Sequence, residues 1–169
     1  GNNTMVGAYA GALNIDDADN TAVGYAANYP DGGSRVTAVG SQALNANTAN
    51  DNTAIGFAAM TANTTGGANT AVGKRALQTN TTAANNTAVG GSAMSANTEG
   101  ASNVAVGASA LSANTTGGNN TAVGTNALDA NTTGVQNTAV GMDALGANTT
   151  AAGNTAVGYR AAMTNTTGT

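Results

Sequence analysis

The sequence predicts an all-β fold: one single-stack parallel β-solenoid, or β-roll, of about ten coils of 16–17 residues with two short strands per coil. Three observations carry the prediction. One phrase, Asn-Thr-Ala-Val-Gly-x-x-Ala-Leu-x-Ala-Asn-Thr-Thr-Gly, recurs end to end, punctuated by Gly7, Gly24, Gly40, Gly56, Gly73, Gly90, Gly107, Gly124, Gly141 and Gly158. The interval is 17 residues, with two steps of 16 either side of Gly40. A unit this short cannot bury a core alone and must stack on its neighbours. Val, Ile, Leu and Phe make up only 21 of 169 residues, which with a high net charge would mean disorder. Here the net charge is −4 and the apolar residues return to fixed slots, so the chain reads as an ordered solid of small residues. The third observation excludes the alternatives. Gly, Asn and Thr are too abundant for helices, and the only Asp-Gly or Asn-Gly pair is Asp31-Gly32, which disfavours hairpins.

Counting each coil from its glycine as zero, position −4 is Asn, −3 is Thr and −2 is Ala in nine coils each, and −1 is Val or Ile in all ten. Strand alternation puts Thr and Val on one face and Asn and Ala on the other. The larger pair is expected inward, giving a core ladder of Val23, Val39, Ile55, Val72, Val89, Val106, Val123, Val140 and Val157. The small Ala column is then an outer surface for lateral packing. On this facing, Val123→Asp destabilises far more than Ser112→Asp. The glycine that follows marks a turn needing positive φ or close backbone approach.

The second strand is expected to turn its +4 residue inward and its polar +5 residue to water, adding Leu44, Leu77, Leu111, Leu128 and Leu145 to the core. Asn at +7 opens the Asn-Thr-Thr-Gly turn, where its side chain bonds local backbone. Stacked coils about 4.8 Å apart form a rod of roughly 50 Å, along which Asn and Thr columns can hydrogen-bond. The first, second and last coils break the +4 rule with Gly11, Asn28 and Ala162, and Pro30 falls in the second. Neither end shows a polar cap, so residues 1–169 read as one continuous array, a segment of a longer fibre.

The strands Thr21-Ala22-Val23-Gly24, Thr53-Ala54-Ile55-Gly56 and Thr121-Ala122-Val123-Gly124, each followed by Ala at +3, resemble the head repeats of trimeric autotransporter adhesins, the YadA-like head family. Similar Asn-Thr-Ala-Val-Gly arrays also resemble stretches of phage and bacterial fibre proteins. The resemblance implies a left-handed β-roll, three chains side by side, displayed outside the cell for attachment. This repeat is about three residues longer than the usual coil of the family, and Thr replaces an apolar residue at −3. Only scaffold positions match, so no ligand-binding residue is carried over.

Composition excludes several functions. A weakly acidic chain has no basic stripe for nucleic acid, and it has no apolar run long enough to span a membrane. With no His and no Cys, and with residues repeated rather than converging, catalysis and cofactors are not expected. Asp16, Asp17 and Asp19 form the one carboxylate cluster, a weak calcium candidate that reads better as a solvated turn. Asn63, Asn80, Asn114, Asn131, Asn148 and Asn165 begin Asn-x-Thr sequons at +7 and are candidates for glycosylation. The slot is better explained by turn geometry, since Asn14 and Asn47 fill it without a sequon. A threonine column invites comparison with ice-binding solenoids, but with Thr facing inward that function is disfavoured.

Variation concentrates at +1 and +2, which hold Tyr25, Phe57, Lys74, Arg75, Met142, Asp143, Tyr159 and Arg160. Exposed varied residues on a rigid scaffold are where recognition can reside. The expected role is an extracellular structural or adhesive fibre segment, on a cell surface or a virion appendage. It works by rigid extension and multivalent display rather than turnover. Its partners are other copies, as a homotrimer or a head-to-tail filament, and a host or matrix surface. A phage tail-fibre shaft and a self-assembling filament subunit are the alternatives.

Overall fold

A computed structural model describes residues 1–12, 17–29 and 32–166; Asn14, Asp16, Pro30 and Asp31 lie outside them. Ten three-residue strands follow one another: β1 (Thr4–Val6), β2 (Thr21–Val23), β3 (Thr37–Val39), β4 (Thr53–Ile55), β5 (Thr70–Val72), β6 (Thr87–Val89), β7 (Val104–Val106), β8 (Thr121–Val123), β9 (Thr138–Val140) and β10 (Thr155–Val157). They form one ten-stranded parallel sheet in chain order, the β-solenoid that the repeat predicts. Among the described residues there is no helix.

Register is kept from end to end. Thr lies over Thr, Ala over Ala and Val over Val, as in the pairing of Thr121, Ala122 and Val123 with Thr138, Ala139 and Val140. The two 16-residue steps keep it as well, since Thr37 pairs with both Thr21 and Thr53. The missing residue comes out of the long turn. The Asn20 amide reaches a carbonyl 13 residues on, at Gly33, where the Asn52 amide reaches one 14 residues on, at Gly66. Shortening a strand instead would have flipped every later side chain to the other face.

The facing of the strand is opposite to the one expected. Ala22, Ala38, Ala54, Ala71, Ala88, Ala105, Ala122 and Ala139 are fully buried. Val23, Val39, Val72, Val89, Val123 and Val140 are only partly buried, and Ile55, Val106 and Val157 are exposed, so these nine are not the core ladder. Thr at −3 shares their outward face. The reason is space. Each coil is a flattened ring one side chain deep, and Leu at +4 already fills it from the opposite wall. Only a methyl fits beside it. The first coil shows the same volume shared differently: Met5 replaces Ala at −2, Gly11 replaces Leu at +4, and a β-carbon on Gly11 would lie 2.5 Å from the Met5 sulfur. The Ala column therefore offers no outer surface for lateral packing. Val123→Asp is now expected to lower stability by no more than about 1 kcal/mol, close to Ser112→Asp, the ordinary range for strand-surface changes. Chemical denaturation of the two variants checks this.

The expected second strand is absent. Residues +1 to +6 form consecutive turns, with left-handed backbone at +2 and +4, for example Gln42 (φ 60°) with Leu44 (φ 53°) and Asn126 (φ 56°) with Leu128 (φ 53°). A strand cannot put neighbouring residues on one face. These turns do, so Ala127 and Leu128 both point inward and are fully buried. Leu44, Leu77, Leu111, Leu128 and Leu145 thus occupy the core as expected, joined by Met60 and Met94. A left-handed leucine costs roughly 1–2 kcal/mol. The strained residues are held by bonds between coils: the Leu128 N–H donates to Ala144 O at 3.0 Å, and the Asn126 N–H to Ala108 O at 3.0 Å. The punctuating glycines have φ of 124–139° and stack backbone against backbone.

Candidate functional site

Two asparagine ladders run through the interior. At +7, Asn63 donates from Nδ2 to Asn47 Oδ1 (2.7 Å), and the same link repeats through Asn80, Asn97, Asn114, Asn131 and Asn148 at 2.8–3.0 Å. Each of these amides also donates to a carbonyl three residues on, as Asn114 does to Gly117 at 2.9 Å. At −4, the side-chain oxygen of one coil accepts the backbone N–H of the next, as Asn103 Oδ1 does from Asn120 at 2.8 Å. The Nδ2 atom of Asn103 donates to the same Gly117 carbonyl at 2.9 Å. All Asn from 47 to 148 in the first ladder are fully buried, and their polar groups are matched rung to rung except at the last, where Asn148 Oδ1 has no partner. A third, outer ladder joins Thr hydroxyls at +8 to carbonyls of the following coil, as from Thr98 to Thr115 O at 3.1 Å.

This arrangement removes five of the six glycosylation candidates. Asn63, Asn80, Asn114, Asn131 and Asn148 are wholly inside, with the amide nitrogen that would carry a glycan already donating twice; Asn165 is half-buried. The residue type is there for the ladder. Three buried polar atoms lack a hydrogen-bond partner among the described residues: Asn28 Oδ1 at +4 and, within the ladders, Asn86 Nδ2 and Asn148 Oδ1.

Of the acidic candidates, Asp17 and Asp19 are described and Asp16 lies outside the described residues. Asp17 is half-buried and accepts a long 3.5 Å bond from Ser34, while Asp19 is exposed with left-handed backbone. Among the described residues no group of three metal-ligating side chains comes together.

Besides the −5 column and the +8 threonines, the outer surface divides into three zones. The first is the sheet face, made of the −3 and −1 columns, which holds only Thr, Val and Ile. The second is the varied +1 and +2 rows beside it. Tyr25, Phe57, Met142 and Tyr159 are exposed there, and the Arg160 guanidinium lies 5.1 Å from the Tyr159 ring while reaching Asp143 at 3.4 Å. Tyr9 meets Tyr25 and Tyr29 edge to face, with centroids 5.9 and 6.0 Å apart, beside an open groove of about 380 Å³ that Gln42 and Asn45 complete. The third zone is the +5 side, where Asp129 and, from the +2 row, Asp143 flank a second groove. Burial raises the Asp129 carboxyl above its ordinary value, and nearby Asp143 adds to the rise against opposing backbone hydrogen bonds. On the −5 column, Arg35 grips Asp51 through two bonds of 2.6 and 3.0 Å and holds its carboxyl below the ordinary value. That pair is fully exposed.

Sequence reasoning missed the sheet face because it ranked residues by hydrophobicity alone. Size was the better signal: −1 admits Val or Ile and −3 admits Thr or Val, whereas −2 departs from Ala only where +4 becomes Gly. No protein-family model matches the chain, and comparison with curated proteins and with solved structures finds no match.

Proposed function

We propose that the chain is a rigid segment of an extracellular fibre, of the kind found on cell surfaces or virion appendages, that displays its +1 and +2 rows for attachment and performs no turnover. The observation that carries this reading is the unbroken stack. All ten strands share one register, and the interior is tied coil to coil by two amide ladders as well as by backbone. Such a scaffold fixes the spacing of whatever stands on its sides, and weak contacts repeated along it act together. The resemblance of its strands to adhesin head repeats supports the same reading. Three rods side by side, which that resemblance implies, do not meet through the Ala column, which is internal.

Beads coated with the chain test the proposal. They should adhere to matrix- or cell-coated surfaces more than bare beads do. The triple variant Tyr25→Ser, Phe57→Ser, Tyr159→Ser should lose that adhesion while changing stability by no more than about 0.5 kcal/mol per site. Beads that adhere no better than bare ones, or a triple variant that adheres fully, would defeat it.

A further inference from the structure

We propose that the outward sheet face is an ice-binding surface, its ligand the crystalline surface of frozen water. The inference goes beyond the fibre reading and does not depend on it. It rests on the two columns that alternation turns outward. Across ten strands the −3 and −1 positions hold only Thr, Val and one Ile, with no charge, amide or aromatic ring. The neighbouring outward columns behave differently, carrying Arg35 and Asp51 on one side and Tyr25 and Lys74 on the other. The sheet face is thus uniform where these neighbouring columns vary.

The geometry of that face is a grid. Hydroxyl-bearing side chains repeat about 4.8 Å apart along the rod, interrupted once at Val104, and the Val column runs parallel about 6.6–6.8 Å away, two residues along each strand. Hexagonal ice exposes rows of oxygens whose two repeats are close to these. Thr and Val are β-branched and hold few rotamers, so the array is fixed before it meets a surface and little ordering entropy is lost on contact. Each Thr hydroxyl both donates and accepts, as a lattice water does. The methyl groups between them release their hydration on contact. A neutral grid suits a neutral lattice, since any charge would keep its own water shell.

Area separates this occupant from a second copy of the chain. Ten rungs of three residues cover on the order of 450 Å², short of the roughly 800 Å² per partner of a stable protein interface.

Thermal hysteresis and partition of the chain into a growing ice hemisphere provide the test. The native chain is expected to show hysteresis and to enter the ice. Thr121→Lys should lose most of both at an unchanged melting temperature, whereas Ser112→Lys, on the +5 side, should keep them. Thr121→Tyr, which suits a strand, disrupts the grid by bulk alone and should also lose them, so the test survives a lysine variant that fails to fold. A native chain without hysteresis that stays in the liquid overturns the proposal. Equal activity in the Thr121 and Ser112 variants does so too. So does sedimentation at twice the chain mass that Thr121→Lys restores to one, which would make a second copy the occupant. None of these outcomes bears on bead adhesion, which depends on other rows.

Discussion

Gly124→Ala is expected to destabilise the rod by about 4 kcal/mol or more, a fall of roughly 8–16 °C in Tm for a chain of this size. Two costs combine. The Gly124 backbone has φ +134°, a conformation left almost entirely to glycine. A β-carbon there would also stand 2.5 Å from the carbonyl oxygen and 2.6 Å from the carbonyl carbon of Gly141 in the next coil. Both are backbone atoms pinned by ladder bonds, including Gly141 N–H to Val123 O at 2.7 Å, so neither can give way alone. The coils must part, and the whole stack beyond them shifts. Gly158→Ala separates the two costs. Its φ is +125°, but the nearest atom to a new β-carbon is the Ala161 methyl at 4.0 Å, so only the backbone strain of about 1–3 kcal/mol remains. Equal losses in the two variants would show that backbone contact between coils is not what demands glycine.

Asn114→Asp should be nearly as damaging, and its effect should depend on pH. The change keeps shape but turns a donor into an acceptor. The former Nδ2 position faces Asn97 Oδ1 at 2.8 Å and Gly117 O at 2.9 Å, two acceptors in a fully buried site. An ionised carboxylate there meets oxygen on both sides, and leaving such a charge uncompensated costs on the order of 3–5 kcal/mol. The native state therefore favours the protonated acid, which can still donate to one of the two. Its folded pKa is raised above the unfolded value near 4. Between those values the folded chain binds more protons than the unfolded one, so stability falls as pH rises. Denaturation midpoints should separate from native most at neutral pH and converge toward pH 3. A pH-independent loss would mean that the ladder at position 114 does not require a donor.

Both sites could be located in the sequence. The glycine column was legible because a residue recurring at one place in every coil, flanked by strand formers, leaves few physical explanations. The asparagine column was equally legible, both in its local turn bond and in the bonding along the stack that identical residues in register permit. What the sequence does not reveal is that the amides of Asn97, Asn114 and Asn131 each make both bonds at once, one to the preceding rung and one to their own turn. The parallel stack itself followed from repeat length and composition. The facing did not, because alternation fixes which residues share a side and is silent on which side is inner. The pairing of Met5 with Gly11 was the clue available, a large residue arriving where a large one leaves. The second strand failed for a related reason. A pattern of two adjacent buried residues, Ala127 and Leu128, belongs to neither strand nor helix and needs left-handed turns that leucine rarely enters unaided.

The inner asparagine column has one sense throughout. From Asn63 to Asn148 each Nδ2 atom donates toward the preceding coil and each linking Oδ1 atom faces the following one. Aligned amides polarise one another, and their dipoles add along the axis where strand dipoles largely cancel. The rod should therefore carry a permanent electric moment, positive toward Asn47, and turn in an applied field as a compass needle turns in a magnetic one. Transient electric birefringence would register that moment. Its decay on replacing a middle amide would count how many rungs polarise together.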